Sequence, residues 1–423
     1  MTDARRLLLD ALHAALTAVD PARILPGFLP PPPRGRTLVV GGGKAAASMA
    51  RAVEAHWPEG RPLSGLVVTR YRHGLPTRHI RVVEASHPLP DGRGEAAATR
   101  MLAMAGELGP DDLLLALVSG GGSSLLAAPV PGVPLKALRQ VTKALLHSGA
   151  PIADINIVRK HLTRLSGGQL ARAANGARVV ALILSDVVGD DPADIASGPC
   201  APDPSTYADA MDRLRHYRVD APECVVAHLQ RGIRGDIPDT PKPGDACFKR
   251  VRNQIIANNL TALDAACGFF RQRGVAAVLL SDRIAGDAEV AARRHAALLQ
   301  SIACERPLAL VSGGETTVRI ATPAGHGGRN THFLLALALA LGEAQGVWAL
   351  AADTDGIDGT EDNAGAMIGP DTLARARKLG LDAGAALALR DSYGFFAALG
   401  DLVVTGPTRT NVNDYRVLLQ LGR

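Results

Sequence analysis

Residues 115–121 read Leu-Ala-Leu-Val-Ser-Gly-Gly, and the same seven residues recur at 308–314. Each copy begins with a short apolar run, typical of a buried β-strand, and ends in a glycine turn. Glycines at a strand end permit positive φ and let a ligand approach the main chain. Where a strand leads into a helix, the first backbone N–H groups of the helix favour an anion, often a phosphate. The repeat therefore predicts two α/β halves, each with an anion-accepting loop.

Composition limits the class of protein. A chain of 423 residues with 47% hydrophobic and 21% charged residues predicts two or three folded domains, and 3% aromatics predicts aliphatic cores. The net charge of +5 without a dense basic block excludes nucleic-acid binding and suits an anionic small substrate. The five cysteines lack CxxC spacing, which indicates a reducing compartment. Because no signal peptide or membrane-length apolar run occurs, we expect a soluble cytoplasmic protein.

Strand and helix patterns alternate along the chain. The strand patterns lie at 37–40, 66–69, 80–84, 113–118, 179–184, 254–256, 276–280, 308–311, 347–351, 402–405 and 415–419. Such alternation predicts a doubly wound parallel sheet in the N-terminal half. Residues 232–250 are rich in Gly, Pro and Asp and lack periodicity. We therefore expect a Rossmann-like domain over 1–235 and a second α/β domain over 236–423.

The first predicted strand runs into Gly41-Gly42-Gly43-Lys44. This loop fits the G-x-G-x-x-A form of the dinucleotide fingerprint, but Arg70 stands where the confirming carboxylate belongs, and the Walker A pattern fails. Arg70 would suit the 2′-phosphate of NADP, so NADP remains an alternative cofactor. Lys44 is one of seven lysines (44, 136, 143, 160, 242, 249 and 378) among 46 basic residues. A lysine in a glycine loop of so arginine-rich a chain favours a phosphate or carboxylate contact over a solvated turn, with Gly42 and Gly43 lining the site.

Two further segments favour anions. The loop after the fourth strand offers main-chain N–H groups and three hydroxyls, which would suit a phosphate; its residues are Ser119, Gly120, Gly121, Gly122, Ser123 and Ser124. Asn156 and Arg159 precede an apolar helix, and either a solvated helix start or an anion contact explains them.

Acidic residues follow two predicted strands. Ser185, Asp186 and Asp190 come after the strand at 179–184, where α/β proteins keep their chemistry, although helix capping would also explain them. Asp353, Asp355 and Asp358 form an acidic turn that either attracts Mg²⁺ or is purely structural, since EF-hand spacing is not met.

The second copy of the repeat ends differently from the first. It continues from Gly314 into Glu315, a carboxylate that repels phosphate unless a cation intervenes. Arg329 and Asn330 follow a glycine pair at a helix start, where the helix dipole disfavours a cation. The arginine therefore favours a functional role. Asn411 lies in a polar segment, 405–414, that could line a cleft.

Together these motifs resemble the glycerate 2-kinase family, the type-2 glycerate kinases with a C-terminal MOFRL domain. The segments that carry the resemblance are 39–45, 117–124, 156–162, 184–190, 195–199, 312–315, 327–330, 353–359 and 405–414. The resemblance implies two α/β/α domains, with a mixed sheet in the second and a MOFRL-like region at about 305–415. It implies ATP- and Mg²⁺-dependent phosphorylation of D-glycerate to 2-phosphoglycerate in an interdomain cleft, with a homodimer as a possibility.

The resemblance also assigns residues. The family's glycine-loop lysine matches Lys44 and the arginine of its Gly-Gly-Arg-Asn motif matches Arg329; both are expected to be essential. Where the family continues with Gln-Glu, this chain has Thr331-His332, so no role of that glutamate carries over. Asp190 is the candidate for proton acceptance or Mg²⁺ binding. Family members are often labelled hydroxypyruvate reductases, and an NADP-dependent reductase is the alternative.

Overall fold

The structure is a computed structural model that describes residues 2–302, 305–318 and 325–422. It divides into two compact units. The N-terminal unit comprises Ile24–Ile256, and the C-terminal unit comprises Ala257–Arg423 together with Met1–Arg23. The boundary predicted at 235/236 therefore lies within the N-terminal unit, because the last strand of the first sheet extends to Ala257.

The N-terminal unit is built on six strands. They are β1 (Thr37–Gly42), β2 (Leu63–Arg70), β3 (Ile80–Ala85), β4 (Leu113–Val118), β5 (Arg178–Leu184) and β6 (Val251–Ala257). Their order is β3-β2-β1-β4-β5-β6, and the pairs from β3 to β5 are parallel, which confirms the predicted doubly wound sheet. Gly42 pairs with Val118, so β1 and β4 end level at the carboxyl edge.

Eight helices accompany this sheet within the described residues, and the four-residue helix α2 (Pro21–Ile24) spans the boundary between the units. The eight are α3 (Ala46–His56), α4 (Gly92–Gly106), α5 (Gly122–Leu125), α6 (Leu135–His147), α7 (Ile152–Leu162), α8 (Gln169–Ala173), α9 (Tyr207–His216) and α10 (Glu223–Ile233). The apolar pattern over 159–174 predicts helix, with Ser166-Gly167-Gly168 either inside it or breaking it, and the structure has the break. Gly167 and Gly168 adopt φ of 59° and 80°, which a helix does not allow, so the chain turns between α7 and α8.

Two apolar clusters support this unit. One lies under the sheet and includes Val40, Met101 and Leu114. The other joins α6, α7, α9 and α10, where Val158 and Leu229 are buried. Because α7 packs through this second cluster, the polar side of the helix is held in a defined direction.

The C-terminal unit contains a mixed sheet, as expected. Its strands are β7 (Ala276–Asp287), β8 (Leu308–Thr317), β9 (Val347–Asp353), β10 (Gly365–Ile368), β11 (Leu402–Val403) and β12 (Asp414–Gln420). The order is β11-β10-β9-β12-β8-β7, with β12 antiparallel to both β8 and β9. Strand β10 was not predicted; it has four residues and follows an acidic turn.

The helices of this unit are α1 (Thr2–Ala18), α11 (Asn259–Arg271), α12 (Ala288–Ser301), α13 (Arg329–Leu341), α14 (Thr372–Lys378), α15 (Ala383–Ala388) and α16 (Ser392–Leu399). The N-terminal helix belongs here because Arg5 pairs with Asp401 at 2.8 Å and the Thr410 hydroxyl donates to Val19 O at 2.8 Å. No helix among the described residues is long and apolar enough to cross a membrane.

Helix α13 provides a test of the C-terminal core. Leu335 is fully buried there, whereas Leu339, one turn later, is 38% exposed. Leu335→Ala leaves a cavity and is expected to lower the free energy of unfolding by about 3 kcal/mol. Leu339→Ala carries the same change in helix propensity and should cost less than about 0.5 kcal/mol. Urea unfolding measures both; equal losses would contradict the described core.

Candidate active site

The first glycine loop is held against the second by main-chain contacts. Lys44 N–H donates to Gly120 O at 2.8 Å, and Ala45 N–H donates to the Ser119 hydroxyl at 3.1 Å. Gly43 has φ of 140°, and a Cβ there would lie 2.1 Å from Ser119 Oγ. Only glycine allows so close an approach. Lys44, Ser119 and Gly120 are therefore brought together as the sequence predicted.

The second loop presents main-chain donors. Gly121 has φ of 79° and precedes α5, the short helix that starts at Gly122. Among the described residues, no hydrogen bond uses the N–H groups of Gly120 and Gly121. Two adjacent N–H groups before a helix start form a concavity suited to an anion. The Ser124 hydroxyl, in contrast, is already donated to Pro88 O at 2.5 Å.

A chain of side chains connects this loop to α7. Ser123 Oγ lies 2.8 Å from Ser197 Oγ, and Ser197 Oγ donates to Asn156 Oδ1 at 2.9 Å. Ser197 is fully buried and was absent from the predicted site. Its signal in the sequence was the Ala-Ser-Gly-Pro run at 196–199, part of a segment that carries the family resemblance.

Arg159 borders the same region. It shares a small cavity with Ser123, Ser124 and Thr163. Burial lowers the pKa of Arg159 to about 10. No carboxylate pairs with this guanidinium in the part of the chain that the structure describes. A largely desolvated, unneutralised cation beside hydroxyls attracts an anionic group of a ligand.

The far side of α7 is fixed by charges that sequence reasoning missed. Lys160 Nζ lies 3.5 Å from Asp203, and His161 Nε2 lies 3.0 Å from Asp239. Burial would raise the pKa of Asp239, but hydrogen bonds from His161 and the Thr240 N–H lower it to about 2. Cations near the C-terminus of a helix also interact favourably with its dipole. These contacts hold α7, and with it Asn156 and Arg159, in place.

The predicted acidic loop follows β5 at the same sheet edge. Ser185 is buried, and its hydroxyl lies 3.4 Å from Val187 N and O. Asp190 adopts φ of 57°, a left-handed conformation that aspartate tolerates better than most residues, and its N–H donates to Val187 O at 3.1 Å. Ser185, Asp186 and Asp190 thus lie one strand beyond the second glycine loop.

Arg329 is the centre of a separate cluster in the C-terminal unit. Its three guanidinium nitrogens contact Glu315 at 2.6 Å, Asp353 at 2.8 Å and Asp414 at 2.8 Å. Burial alone would lower the pKa of Arg329, but Asp414, Asp353 and Glu315 raise it well above its ordinary value. Asp414 meets the others because it pairs with Gly314 in β8 and with Asp353 in β9.

A second buried arginine completes this cluster. Arg416 is fully buried, forms an ion pair with Asp414, and donates to Gly313 O at 3.1 Å. Asn330 Nδ2 donates to Asp414 at 2.8 Å. Sequence reasoning did not single out Asp414 or Arg416, although two charged residues inside an apolar strand pattern were the available signal.

The predicted metal ligands have separate roles. The Asp358 carboxylate caps α13, accepting from the N–H groups of Asn330 at 2.9 Å and Thr331 at 2.8 Å. Asp353 accepts from Arg329, and Asp355 accepts from Ile357 N–H at 2.8 Å. Over residues 2–302, 305–318 and 325–422, no group of three His, Cys, Asp or Glu side chains is arranged to hold a metal ion. The structure therefore does not bring these three carboxylates together around one point.

The remaining predicted residues lie around the acidic cluster. Gly314 N–H donates to Asn259 Oδ1 at 3.1 Å, and Asn259 Nδ2 donates to Asp414 O at 2.9 Å. Asn411 is buried in the segment whose next residue, Val412, donates its N–H to the Thr354 hydroxyl at 2.9 Å. These bonds tie the acidic turn to the 405–414 segment.

The two units therefore carry opposite electrostatic features. In the N-terminal unit, Lys44, Arg159 and the N–H groups of Gly120 and Gly121 favour anions. In the C-terminal unit, Arg329 is already surrounded by carboxylates, so an anionic ligand would have to displace one of them. The first arrangement suits recognition of phosphate and carboxylate, and the second suits an orienting scaffold.

Comparisons with known proteins agree over nearly the whole chain. Residues 7–230 match the domain of unknown function DUF4147, and residues 308–414 match the MOFRL family. A putative hydroxypyruvate reductase of Agrobacterium vitis is 48% identical, over 98% of this chain and 94% of that protein. A D-glycerate 2-kinase of Thermotoga maritima is 37% identical over 97% of both chains.

A glycerate 2-kinase of Pyrococcus horikoshii is 37% identical, over 90% of this chain and 86% of that protein. The crystal structure of the Thermotoga maritima glycerate kinase superposes with a TM-score of 0.87, at 35% identity and with full coverage of both chains. On these matches of sequence and fold, the chain belongs to the glycerate 2-kinase family, which combines a DUF4147 region with a MOFRL region.

Proposed function

We propose that this protein is a glycerate 2-kinase, which transfers the γ-phosphoryl group of ATP to the 2-hydroxyl of D-glycerate. The names of its relatives from Thermotoga maritima and Pyrococcus horikoshii support the reaction. The observation that carries the assignment is the unneutralised Arg159 beside Ser123, at the sheet edge that also carries Lys44 and the glycine loops. Such an edge can hold a carboxylate and a phosphate at once.

In this proposal the glycine loops hold the ATP phosphates. The N–H groups of Gly120 and Gly121 donate to phosphate oxygens, and Lys44 neutralises charge on the transferred group. Phosphoryl transfer depends chiefly on positioning and on electrostatic stabilisation of the phosphoryl oxygens. Gly42, Gly43 and Gly122 serve by keeping the two loops in contact without side chains.

The acid substrate is assigned to Arg159. Arg159 and Arg329 were both candidates for the glycerate carboxylate. Arg329 already has three carboxylate partners, whereas Arg159 has none among the described residues. Electrostatic attraction for a further anion is therefore greater at Arg159. Asp190 remains our candidate for accepting the proton of the 2-hydroxyl.

We assign Mg²⁺ to the loop after β5 rather than to the acidic turn that contains Asp353, Asp355 and Asp358. Mg²⁺ commonly uses one or two protein carboxylates, with water and substrate phosphates as its other ligands. Asp186 supplies one such carboxylate, which leaves the Asp190 carboxylate to accept the hydroxyl proton, and no three-ligand cluster is needed. When bound, Mg²⁺ would neutralise charge on the β- and γ-phosphate oxygens. In this proposal Asp353, Asp355 and Asp358 hold the Arg329 cluster together.

A reductase is the second candidate because the Agrobacterium vitis relative carries that name. The site offers less to this reaction. Strand β2 ends at Arg70 without the carboxylate that recognises the ribose of NAD, which argues against NAD but not against NADP. A reductase of hydroxypyruvate also has no need for an acidic loop suited to Mg²⁺. We therefore place the kinase first.

Removing the glycine-loop lysine tests the kinase directly. Lys44→Ala should lower kcat for ADP release with D-glycerate by at least about 100-fold, because charge on the phosphoryl group loses its counter-charge. Lys143→Ala, at an exposed position of α6, is the matched control and should leave kcat unchanged. Near-normal turnover of Lys44→Ala would overturn the assignment, as would NADPH oxidation with hydroxypyruvate in the absence of kinase activity.

Arg159 is tested by separating KM from kcat. Arg159→Ala should raise the KM for D-glycerate by about 100-fold, the effect of losing a charge-assisted contact, and leave the KM for ATP nearly unchanged. Arg159→Lys should recover part of the loss. Arg139→Ala, exposed on α6, is the control. A rise confined to the KM for ATP would show that Arg159 contacts the nucleotide and would contradict its assignment to the acid substrate.

Arg329 is tested by stability and its pH dependence. Arg329→Ala removes a cation that three carboxylates share, which should cost about 3 kcal/mol of unfolding free energy near pH 7.5. Carboxylates that take up protons no longer repel one another, so the loss should shrink towards pH 5. Arg294→Ala, exposed on α12, should show neither effect. A loss independent of pH would contradict this role.

A further inference from the structure

The hydrogen-bond chain from α7 to the second glycine loop has a fixed direction. Asn156 Nδ2 donates to the main-chain oxygen of Asp194 at 3.2 Å, and this contact orients the amide group. The amide oxygen Oδ1 therefore faces Ser197, and it can only accept. Ser197 Oγ donates its proton to Oδ1 at 2.9 Å.

The number of hydroxyl protons on Ser197 and Ser123 then decides whether Ser123 donates or accepts a hydrogen bond towards a ligand. A serine hydroxyl has one proton and two lone pairs. Because the proton of Ser197 is committed to Asn156, the 2.8 Å bond between the two serines must use the proton of Ser123. Ser123 Oγ is left with lone pairs alone. Towards a ligand that approaches its partly exposed side, Ser123 Oγ acts as a hydrogen-bond acceptor.

The backbone around Ser197 is built to maintain this arrangement. Ala196 and Ser197 adopt φ of 52° and 58°, a left-handed conformation that residues with a side chain seldom adopt. Strained residues of this kind persist only where the surroundings enforce them. Gly167 N–H donates to Ser197 O at 2.8 Å, and Gly122 lets Ala196 approach because a Cβ at 122 would lie 2.5 Å from Ala196 Cβ.

Arg159 supplies the complementary half of a recognition site. Arg159 and Ser123 line one cavity of about 10 Å³, which has room for a single water, and both residues are also partly exposed, so an acid would reach them from the solvent side. A 2-hydroxy acid can place its carboxylate against Arg159 and donate its hydroxyl proton to Ser123 Oγ. A 2-oxo acid has no proton at that position, and its oxygen lone pairs would face those of Ser123. A site built to accept a substrate hydroxyl discriminates strongly against analogues that lack it.

We propose that Ser197 and Asn156 are positioning residues that fix Ser123 as an acceptor and so make the site selective for 2-hydroxy acids over 2-oxo acids. The inference rests on the assignment of this site to the acid substrate under the proposed function. The chain ends on an amide oxygen, which does not take up a proton near neutral pH. It therefore orients the substrate hydroxyl and leaves deprotonation to another group.

The test compares binding of D-glycerate and hydroxypyruvate by isothermal titration calorimetry without ATP. The wild-type protein should bind D-glycerate at least about 10-fold more tightly than hydroxypyruvate. In Ser197→Ala the proton of Ser123 is released and can be donated to an oxo group. The preference should fall to about 1, through weaker binding of D-glycerate with binding of hydroxypyruvate unchanged or tighter.

Four further variants separate positioning from structure. Asn156→Asp keeps an acceptor for Ser197 and should retain the preference, whereas Asn156→Leu should lose it. Ser197→Gly removes the hydroxyl but suits positive φ, and it replaces Ser197→Ala if that variant fails to fold. Ser148→Ala removes a hydroxyl at the end of α6, with its bond to Leu145 O, and should change nothing.

Equal binding of both acids by the wild type, or an equal loss for both in Ser197→Ala, would overturn the proposal. The kinase assignment is judged separately by ADP release. A wild-type protein that prefers D-glycerate in calorimetry but releases no ADP would refute the proposed function and still support Ser123 as the acceptor.

Discussion

The N-terminal site depends on the contact between the main chains of two glycine loops. Strands β1 and β4 are neighbours that end at the same level, so the loops that follow them are crowded against each other. Gly43 resolves the conflict because the place its Cβ would occupy is filled by the Ser119 hydroxyl. Lys44 is thereby anchored on Gly120, and the N–H groups of Gly120 and Gly121 remain available for a ligand. A side chain at position 43 would separate the loops and remove the site.

The two arginines show how the same guanidinium can serve opposite purposes. Arg329 is surrounded by Glu315, Asp353 and Asp414, so its charge is used within the protein. Arg159 carries a desolvated charge that no described carboxylate neutralises. Leaving a cation unneutralised costs stability, and such a cost is commonly accepted where a ligand will supply the counter-charge. The difference between the two surroundings, rather than residue type, is the reason that we assign substrate recognition to Arg159.

Sequence reasoning located the loops because periodicity and glycine runs are local signals. The parallel sheet and the placement of Lys44 and Ser119 follow from strands that end in polar turns, whereas the mixed sheet was implied by the family resemblance. The partners of Arg329 could not be predicted, since Asp414 reaches it only through the pairing of β12 with β8 and β9. Ser197 was missed for a similar reason: its role depends on a left-handed backbone held by Gly167 and Gly122, residues distant in sequence.

The break between α7 and α8 illustrates the limit of local pattern in another way. Apolar spacing over 159–174 suggests one helix, but Gly167 and Gly168 contact Ser197 and Gly198 through main-chain bonds of 2.8 Å. Tertiary hydrogen bonds thus override a helical pattern at the point where the 195–199 loop is fixed. Both glycines were expected within a helix or at a break in it, and only the fold shows which residues they contact.

Under the proposed function, this site directs a phosphoryl group to the 2-hydroxyl of D-glycerate. Proton-coupled ³¹P nuclear magnetic resonance of the product formed from D-glycerate and MgATP tests it most directly. The phosphorus of a phosphate ester at carbon 2 couples to the single proton of that carbon. We therefore expect a doublet for the ³¹P resonance of the new phosphomonoester. A triplet, which indicates an ester at carbon 3 with its two protons, or the absence of a new phosphomonoester would contradict it.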